Sequence, residues 1–131
     1  MSILYIDDDI EDIEIFQEAL KAVDPGIEYI SASSAQEGLK ILETADSLPD
    51  HIVLDINMPG MDGKMCLNEI RKEKKFDDVS VVIYSTNGFP KDIEYIQSRG
   101  AIFIRKVNSF NELCGIIQSL ISRGERKSAR A

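Results

Sequence analysis

The sequence predicts an α/β domain in which five parallel strands form one doubly wound sheet with helices on both faces. Five short apolar runs alternate with amphipathic segments, and three of the runs are continuous and rich in Ile, Val and aromatic residues. Strands that are buried on both faces of a parallel sheet have this composition. Because crossovers between parallel strands are right-handed, five such units favour the strand order 2-1-3-4-5.

The apolar runs are the predicted strands. The run that Glu28 interrupts is predicted to lie at the edge of the sheet, where one face meets solvent. In chain order the runs are Ile3–Ile6, Ile27–Ile30, Ile52–Leu54, Val79–Tyr84 and Ala101–Ile104.

Helical periodicity and capping residues place five helices between and after the strands. Apolar side chains at helical spacing predict the first helix over Glu11–Val23, with Asp9 as its N-cap and the turn around Pro25 as its end. Serines with a glutamate three residues later predict the starts of the second and fifth helices. The remaining markers are Ser34, Glu37 and Ala45 for the second helix, Met65, Cys66 and Ile70 for the third, Pro90 and Gly100 for the fourth, and Ser109 and Glu112 for the fifth.

Length and composition narrow the possible classes of protein. The 131 residues are 44% hydrophobic, which suits one domain with a sizeable core. We predict that this domain spans residues 1–122 and that residues 123–131 form a disordered basic tail. Acidic residues outnumber basic ones, 23 against 15, and the formal charge is −8. We therefore expect neither nucleic acid nor an anionic membrane as a partner.

The sequence also predicts a cytoplasmic protein. No apolar run approaches the roughly 18 residues of a membrane-spanning helix, and the N-terminus lacks the pattern of a signal peptide. Cys66 and Cys114 have no spacing typical of a disulfide framework, so we expect two reduced thiols, mainly structural, on helices.

Polar side chains follow four of the predicted strands at the point where each strand ends. They are Asp7-Asp8-Asp9, Asp55, Ser85-Thr86-Asn87 and Arg105-Lys106. In open α/β sheets, ligands bind outside the carboxyl ends of the strands, so these side chains are expected to meet. Clustered carboxylates suit a hard divalent cation such as Mg²⁺, and an aspartate can itself accept a phosphoryl group.

Each of these residues also has a structural interpretation. Asp9 is better explained as an N-cap than as a ligand, and Asp7 and Asp8 could simply favour the dipole of the first helix. Asp55 ends an apolar run, where an unpaired carboxylate is costly, and this favours a functional role. His51 precedes the third strand and is predicted to be exposed. With no second histidine and no cysteine pair, a zinc site is not expected.

The segment DINMPGMDG, residues 55–63, resembles the phosphoacceptor segment of two-component response regulator receiver domains. The acidic pair after the first strand, Asp55, Ser85 and Lys106 match that family's pattern in order and spacing, and the resemblance covers essentially the whole chain. It implies a flavodoxin-like fold similar to that of chemotaxis regulators. It further implies phosphorylation of Asp55 and a Mg²⁺ site. The implied ligands are Asp8 directly, Asp7 through water, Asp55, and the backbone carbonyl of Asn57.

The resemblance also implies a switch. Ser85 would be the switch hydroxyl, and Lys106 would contact the phosphoryl group. Phe103 stands where the family usually has a tyrosine that changes rotamer. Val107 follows the lysine where the family usually has proline, and we predict a trans Lys106–Val107 peptide, because a cis bond before valine costs about 2.5–4 kcal/mol.

The predicted function is that of a single-domain response regulator rather than an enzyme, with at most self-phosphorylation from small donors and slow autodephosphorylation. A histidine kinase or phosphotransfer protein would supply the phosphoryl group, and an unknown downstream protein would bind the face formed by strand 4, helix 4 and strand 5. Two alternatives stay open at the level of sequence. One is a receiver-like adaptor that needs no phosphate. The other is a small phosphatase of the haloacid dehalogenase type, since Asp7 and Asp9 have its spacing. A calcium loop beginning at Asp7 lacks the required glycine.

Overall fold

The computed structural model describes residues 1–123 and the backbone of the last helix as far as Arg130. Strands and helices alternate along the chain as predicted, and a short 3₁₀ turn, Lys74–Phe76, precedes the fourth strand. The strands are β1 (Ser2–Ile6), β2 (Glu28–Ala32), β3 (His51–Leu54), β4 (Ser80–Ser85) and β5 (Ile102–Arg105). The helices are α1 (Ile10–Val23), α2 (Ala35–Thr44), α3 (Gly63–Lys72), α4 (Pro90–Ser98) and α5 (Phe110–Arg130).

The five strands form a single parallel sheet in the order β2-β1-β3-β4-β5. This order confirms the predicted doubly wound architecture, and it places β2, with the exposed Glu28, at an edge. Because all strands run in the same direction, their carboxyl ends lie along one edge of the sheet. The segments that follow β1, β3, β4 and β5 therefore meet at that edge.

Helices cover both faces of the sheet, and each face has its own hydrophobic core. Alternation along β1 illustrates the division, since Leu4 and Ile6 face the core shared with α2, α3 and α4, while Ile3 and Tyr5 face the core shared with α1 and α5. The central strand β3 is buried along its whole length. Hydrophobic cores on both faces of the sheet thus hold in place the strand ends that carry the polar residues.

The predicted caps are confirmed at the starts of three helices. Asp9 accepts hydrogen bonds from the backbone N–H groups of Glu11 and Asp12 at the start of α1. Ser34 accepts one from Glu37 at α2, and Ser109 accepts one from Glu112 at α5. Each cap satisfies a backbone donor that has no partner within its helix.

The prediction that His51 is exposed is wrong. His51 is only 2% exposed because β3 begins at His51 itself, one residue earlier than predicted. In the centre of the sheet it lies between Ile3 of β1 and Ser80 of β4. The extension of the strand, which depends on pairing partners rather than on local polarity, accounts for its burial.

Both cysteines lie on helices as free thiols, as predicted. Burial raises the pKa of the Cys66 thiol to about 12. Within the part of the chain that the structure describes, no helix combines the length and apolar character needed to cross a membrane. The predicted disordered tail over residues 123–131 stays a prediction, because the side chains beyond Arg123 and the whole of residue 131 lie outside the described part of the chain.

Candidate functional site

Three aspartates meet at the carboxyl edge of the sheet. Asp7 and Asp8 follow β1, and Asp55 follows the neighbouring β3, whose Leu54 pairs with Ile6. One carboxylate oxygen from each of the three aspartates lies within 4.8 Å of the other two. Asp7 and Asp55 are buried, whereas Asp8 is exposed to solvent. The structure therefore brings together the acidic residues that the sequence placed at strand ends.

Asp7 is held by donors on both of its carboxylate oxygens. Its Oδ1 accepts a hydrogen bond from the backbone N–H of Asp9 at 3.0 Å. Its Oδ2 accepts one from the Tyr5 hydroxyl at 2.9 Å and one from Lys106 Nζ at 2.7 Å. Burial raises the pKa of Asp7 although the Lys106 hydrogen bond opposes the shift. Burial and the neighbouring Asp7 charge raise the pKa of Tyr5, so its hydroxyl stays a donor.

Lys106 places its ammonium group among three carboxylates. Its Nζ lies 2.7 Å from Asp7 Oδ2, 2.8 Å from Asp12 Oδ2 and 3.3 Å from Asp55 Oδ2. Burial alone lowers the pKa of Lys106, but the hydrogen bonds to Asp12 and Asp7 outweigh it and raise the pKa. Since Asp8 adds a fourth carboxylate nearby, the site keeps an excess of negative charge.

Asp55 is fixed by the loop that joins β3 to α3. Its backbone N–H donates to Ile6 O at 3.0 Å, and its Oδ1 accepts from the backbone N–H of Ile56 at 2.8 Å. The backbone N–H of Gly63, the first residue of α3, donates to Ile56 O. A Cβ atom at position 63 would overlap the Asp55 carbonyl oxygen, so only glycine lets α3 begin this close to Asp55.

Ser85 and Phe103 lie on the β4–β5 side of the site. Ser85 is fully buried, and its Oγ finds no hydrogen-bond partner among the described residues. Phe103 is half-buried, and its ring packs so tightly against Gly88 that a side chain at position 88 would overlap it. The loop between β4 and α4 therefore rests directly on the Phe103 ring. Asn57 is exposed in the β3–α3 loop.

The Lys106–Val107 peptide is trans, as predicted. The Val107 N–H, which a proline would lack, donates to the hydroxyl of Tyr84 at 3.3 Å. The ring of Tyr84 also lies below Lys106, with Nζ 5.9 Å from its centroid. Tyr84 therefore supports both the backbone and the side chain of this loop.

Sequence reasoning missed Tyr5, Asp12 and Tyr84. The spacing of Tyr5 and Asp7 was a usable signal, because side chains two residues apart on a strand point to the same face. Asp12 carried no separate signal, since an acidic residue in the first turn of a helix is already explained by the helix dipole. Tyr84 had the composition of an ordinary buried strand residue.

The fold and the site define an α/β protein of the doubly wound class, with a strongly acidic site and a buried lysine at the carboxyl edge of its parallel sheet. Residues 3–118 match the family model described as the response regulator receiver domain, and the chain belongs to this family. The family assignment agrees with the resemblance inferred from DINMPGMDG.

Curated relatives and solved structures agree with this assignment. The chain is 32% identical over 120 residues to the sensor histidine kinase CheAY of Helicobacter pylori, covering 91% of this chain and 15% of that protein. It is 31% identical over 124 residues to the probable transcriptional regulator ycf27 of Cyanophora paradoxa, covering 94% and 49%. The chain thus spans less than half the length of these relatives.

Two solved structures are similar in fold over nearly the whole chain. The phosphorylated cyanobacterial phytochrome response regulator RcpA has a TM-score of 0.82 at 27% identity, covering 91% of this chain and 89% of RcpA. A response regulator receiver domain protein from Clostridium thermocellum has a TM-score of 0.75 at 29% identity, covering 95% and 96%.

Membership of the family establishes the general role of the chain. Receiver domains are signalling domains of two-component systems and not generally enzymes, and they interact with histidine kinases or phosphotransfer proteins. They bind Mg²⁺ at an acidic pocket, and the group of Asp7, Asp8 and Asp55 has that character here.

Proposed function

We propose that Asp55 accepts a phosphoryl group from a phosphohistidine of a histidine kinase or phosphotransfer protein, in a Mg²⁺-dependent reaction, and that this switches a protein-binding surface. The observation that carries the proposal is the position of Asp55. Its carboxylate lies 3.3 Å from Lys106 Nζ and belongs to the same group of oxygens as Asp7 and Asp8. A carboxylate that can act as a nucleophile, a group of oxygens suited to a cation and a buried positive charge thus lie at one point.

The transfer needs little beyond alignment and charge neutralisation. A carboxylate oxygen of Asp55 forms a bond to phosphorus while the bond between phosphorus and the imidazole nitrogen breaks, and its electron pair stays on that nitrogen. The product on Asp55 is an acyl phosphate. Lys106 already lies against Asp55 with its side chain 9% exposed, so its charge is weakly screened and available to the phosphoryl oxygens.

The donor set of the site fits Mg²⁺, which prefers oxygen ligands and keeps several waters. Asp8 is exposed and suits direct coordination, whereas Asp7 already accepts three hydrogen bonds and suits a contact through water. The backbone carbonyl of Asn57 is the further ligand that we propose. When bound, Mg²⁺ would neutralise the excess negative charge of the carboxylates and of the incoming phosphoryl group.

The buried hydroxyl of Ser85 supports its role as the switch. Because Ser85 Oγ has no partner among the described residues, a phosphoryl oxygen on Asp55 would offer it a hydrogen bond that the protein itself does not supply. Movement of Ser85 would act on Phe103 and on the Gly88 loop that rests on its ring. We propose that the surface formed by β4, α4 and β5 changes in this way and binds a downstream protein.

The two alternatives lead to different expectations. In the phosphatase, Asp9 would act as an acid, yet its Oδ1 accepts hydrogen bonds from two backbone N–H groups of α1. This engagement as an N-cap opposes that role. In a phosphate-independent adaptor, Asp55 would remain unmodified in the presence of a donor. Phosphorylation of Asp55 therefore separates our proposal from the adaptor.

Intact-mass spectrometry after incubation with Mg²⁺ and a small acyl phosphate tests the proposal. The wild-type chain should gain one phosphoryl group that is labile to acid and base, and Asp55→Asn should gain none. Asp9→Asn is the matched control, because it removes a carboxylate from the same edge while asparagine still caps α1. Stoichiometric labelling of Asp55→Asn would contradict the assignment of the acceptor.

A second variant tests the switch. Ser85→Ala should still be phosphorylated, but the amide NMR signals of the β4–α4 loop and of α4 should no longer shift when the donor is added. If Ser85→Ala shows the same shifts as the wild type, Ser85 is not the switch hydroxyl.

A further inference from the structure

The hydroxyl of Tyr5 reaches into the acidic site from the hydrophobic core beneath it. Tyr5 is only 1% exposed, and its ring packs with Phe16 and the other residues of the core between the sheet and the helices α1 and α5. A phenylalanine would fill the same space in that core. The hydroxyl adds one specific contact, its hydrogen bond to Asp7 Oδ2 at 2.9 Å.

This contact determines how Asp7 presents its oxygens. A carboxylate has about four acceptor positions. At Asp7, Oδ2 uses its two on Tyr5 and Lys106, and Oδ1 uses one on the backbone N–H of Asp9. The acceptor position that these three donors leave is on Oδ1. A cation, or a water bound to one, is therefore directed to that oxygen.

Tyr5 is a more rigid donor than Lys106. Its ring centroid lies 4.6 Å from that of Phe16 and 6.3 Å from that of Tyr29, and its backbone pairs with strands on both sides. Lys106, in contrast, has a long side chain that the proposed reaction draws towards the phosphoryl group. When Lys106 turns to that group, Tyr5 is the side chain that still holds Asp7 Oδ2.

We propose that Tyr5 is a positioning residue for the cation site, which keeps Asp7 oriented for Mg²⁺ independently of where Lys106 points. The proposal rests on the Mg²⁺ site of the proposed function. Groups that orient metal ligands through hydrogen bonds contribute about 10- to 100-fold to metal affinity. Without the Tyr5 hydroxyl, Asp7 would follow the movements of Lys106, and the cation would bind more weakly.

Calorimetric titration of the full chain with Mg²⁺, without phosphodonor, tests the proposal. Tyr5→Phe should weaken Mg²⁺ binding about tenfold. Tyr29→Phe is the matched control, because it removes a hydroxyl from the same aromatic cluster that donates to Ile13 O at 2.8 Å and not to a carboxylate of the site. Mg²⁺ affinity should be unchanged in Tyr29→Phe, although both variants lose a hydrogen bond.

The outcomes distinguish this inference from the proposed function. If the wild type binds Mg²⁺ and Tyr5→Phe binds it equally well, the role of Tyr5 is wrong and the proposed function stands. If the wild type does not bind Mg²⁺, the proposed cation site fails and the role of Tyr5 fails with it.

Tyrosine fluorescence of the wild type provides a test that does not depend on the folding of a variant. The chain has four tyrosines and no tryptophan, so its emission comes from tyrosine. Mg²⁺ binding should change this emission, because the Tyr5 hydroxyl is bonded to a residue of the site. A spectrum that is unaffected by saturating Mg²⁺ would contradict the proposal.

Discussion

The two ends of the sheet each hold a partly buried cation, and the partners of these cations differ. At the carboxyl edge, Lys106 lies among the carboxylates of Asp7, Asp12 and Asp55. At the amino edge, the Arg71 guanidinium donates to four backbone carbonyls, at 2.9 to 3.4 Å. These carbonyls belong to Phe76, Val79, Arg99 and Gly100, in the turns that lead into β4 and β5.

The difference separates structural from functional use of a buried charge. Arg71 ties together carbonyl groups at the end of α4 and in the turn before β4, where Phe76 O also accepts from the backbone N–H of Val79, and this is a structural task. Burial lowers the pKa of Arg71, and the opposing charge of Asp77 does not offset this shift. The carboxylates around Lys106 raise its pKa instead. Their combined negative charge is larger than the single positive charge of Lys106. The carboxyl edge of the sheet, which keeps an excess of negative charge, is therefore the edge suited to a cation and a phosphoryl group.

The largest effect is expected for Lys106→Met, which keeps the length of the side chain and removes its charge. Phosphorylation by a small acyl phosphate should slow by about 10²-fold, as on loss of a single charge-stabilising donor elsewhere. The unpaired carboxylates should also destabilise the Mg²⁺-free protein by mutual repulsion. Time-resolved intact-mass spectrometry measures the rate, and a rate equal to that of the wild type would show that Lys106 is not used.

Arg71→Met should reduce the stability of the fold without affecting phosphorylation. Loss of the guanidinium leaves several carbonyls without donors and should lower the free energy of unfolding by about 2 kcal/mol. The rate of phosphorylation should be unchanged, because Arg71 lies at the other end of the sheet.

Urea denaturation measures the loss for Arg71, and Arg99→Met is the control. The Arg99 side chain is exposed and lies over the Tyr95 ring, so its removal should have little effect on stability. If Arg71→Met slows phosphorylation as strongly as Lys106→Met does, the two ends of the sheet are coupled and the division of tasks is wrong.

Asp8→Asn should reveal the charge excess at the carboxyl edge. Removing one of the clustered carboxylates relieves repulsion, so the Mg²⁺-free protein should keep its stability or gain about 0.5 kcal/mol. The stabilisation that Mg²⁺ gives to the wild type should disappear. Thermal denaturation with and without Mg²⁺ measures both effects. A large loss of stability without Mg²⁺ would instead assign Asp8 to the start of α1.

The smallest effect is expected at a partly exposed cation, Lys64, which pairs with Asp92 of α4 at 2.7 Å. The Lys64 hydrogen bond lowers the pKa of Asp92, so the pair stabilises the fold above the ordinary aspartate pKa of about 4. This contribution should be lost as the pH falls through the lowered pKa of Asp92.

Because both side chains are partly exposed, Lys64→Met should cost no more than about 0.5 kcal/mol at pH 7. The difference from the wild type should shrink in acid. Urea denaturation at pH 7 and at pH values below about 4 measures this. A cost that grows as the pH falls would show that the ion pair is not its source.

Local patterns account for the parts of the fold that the sequence predicted correctly. Apolar runs, helical periodicity and the caps at Asp9, Ser34 and Ser109 act over a few residues, and the structure retains each of them. The end of each strand was therefore predictable to within about two residues, and with it the convergence of Asp7, Asp55 and Lys106.

By itself, the sequence determined the order of the strands and helices, the family, and the polar residues that end four of the strands. Only the tertiary structure decided that His51 is buried, that Tyr5 and Asp12 join the site, and that Arg71 holds the opposite edge. The physical reason is the range of the interactions. Secondary structure follows from neighbouring residues, whereas these contacts depend on strand register and on side-chain directions that packing sets across the sheet.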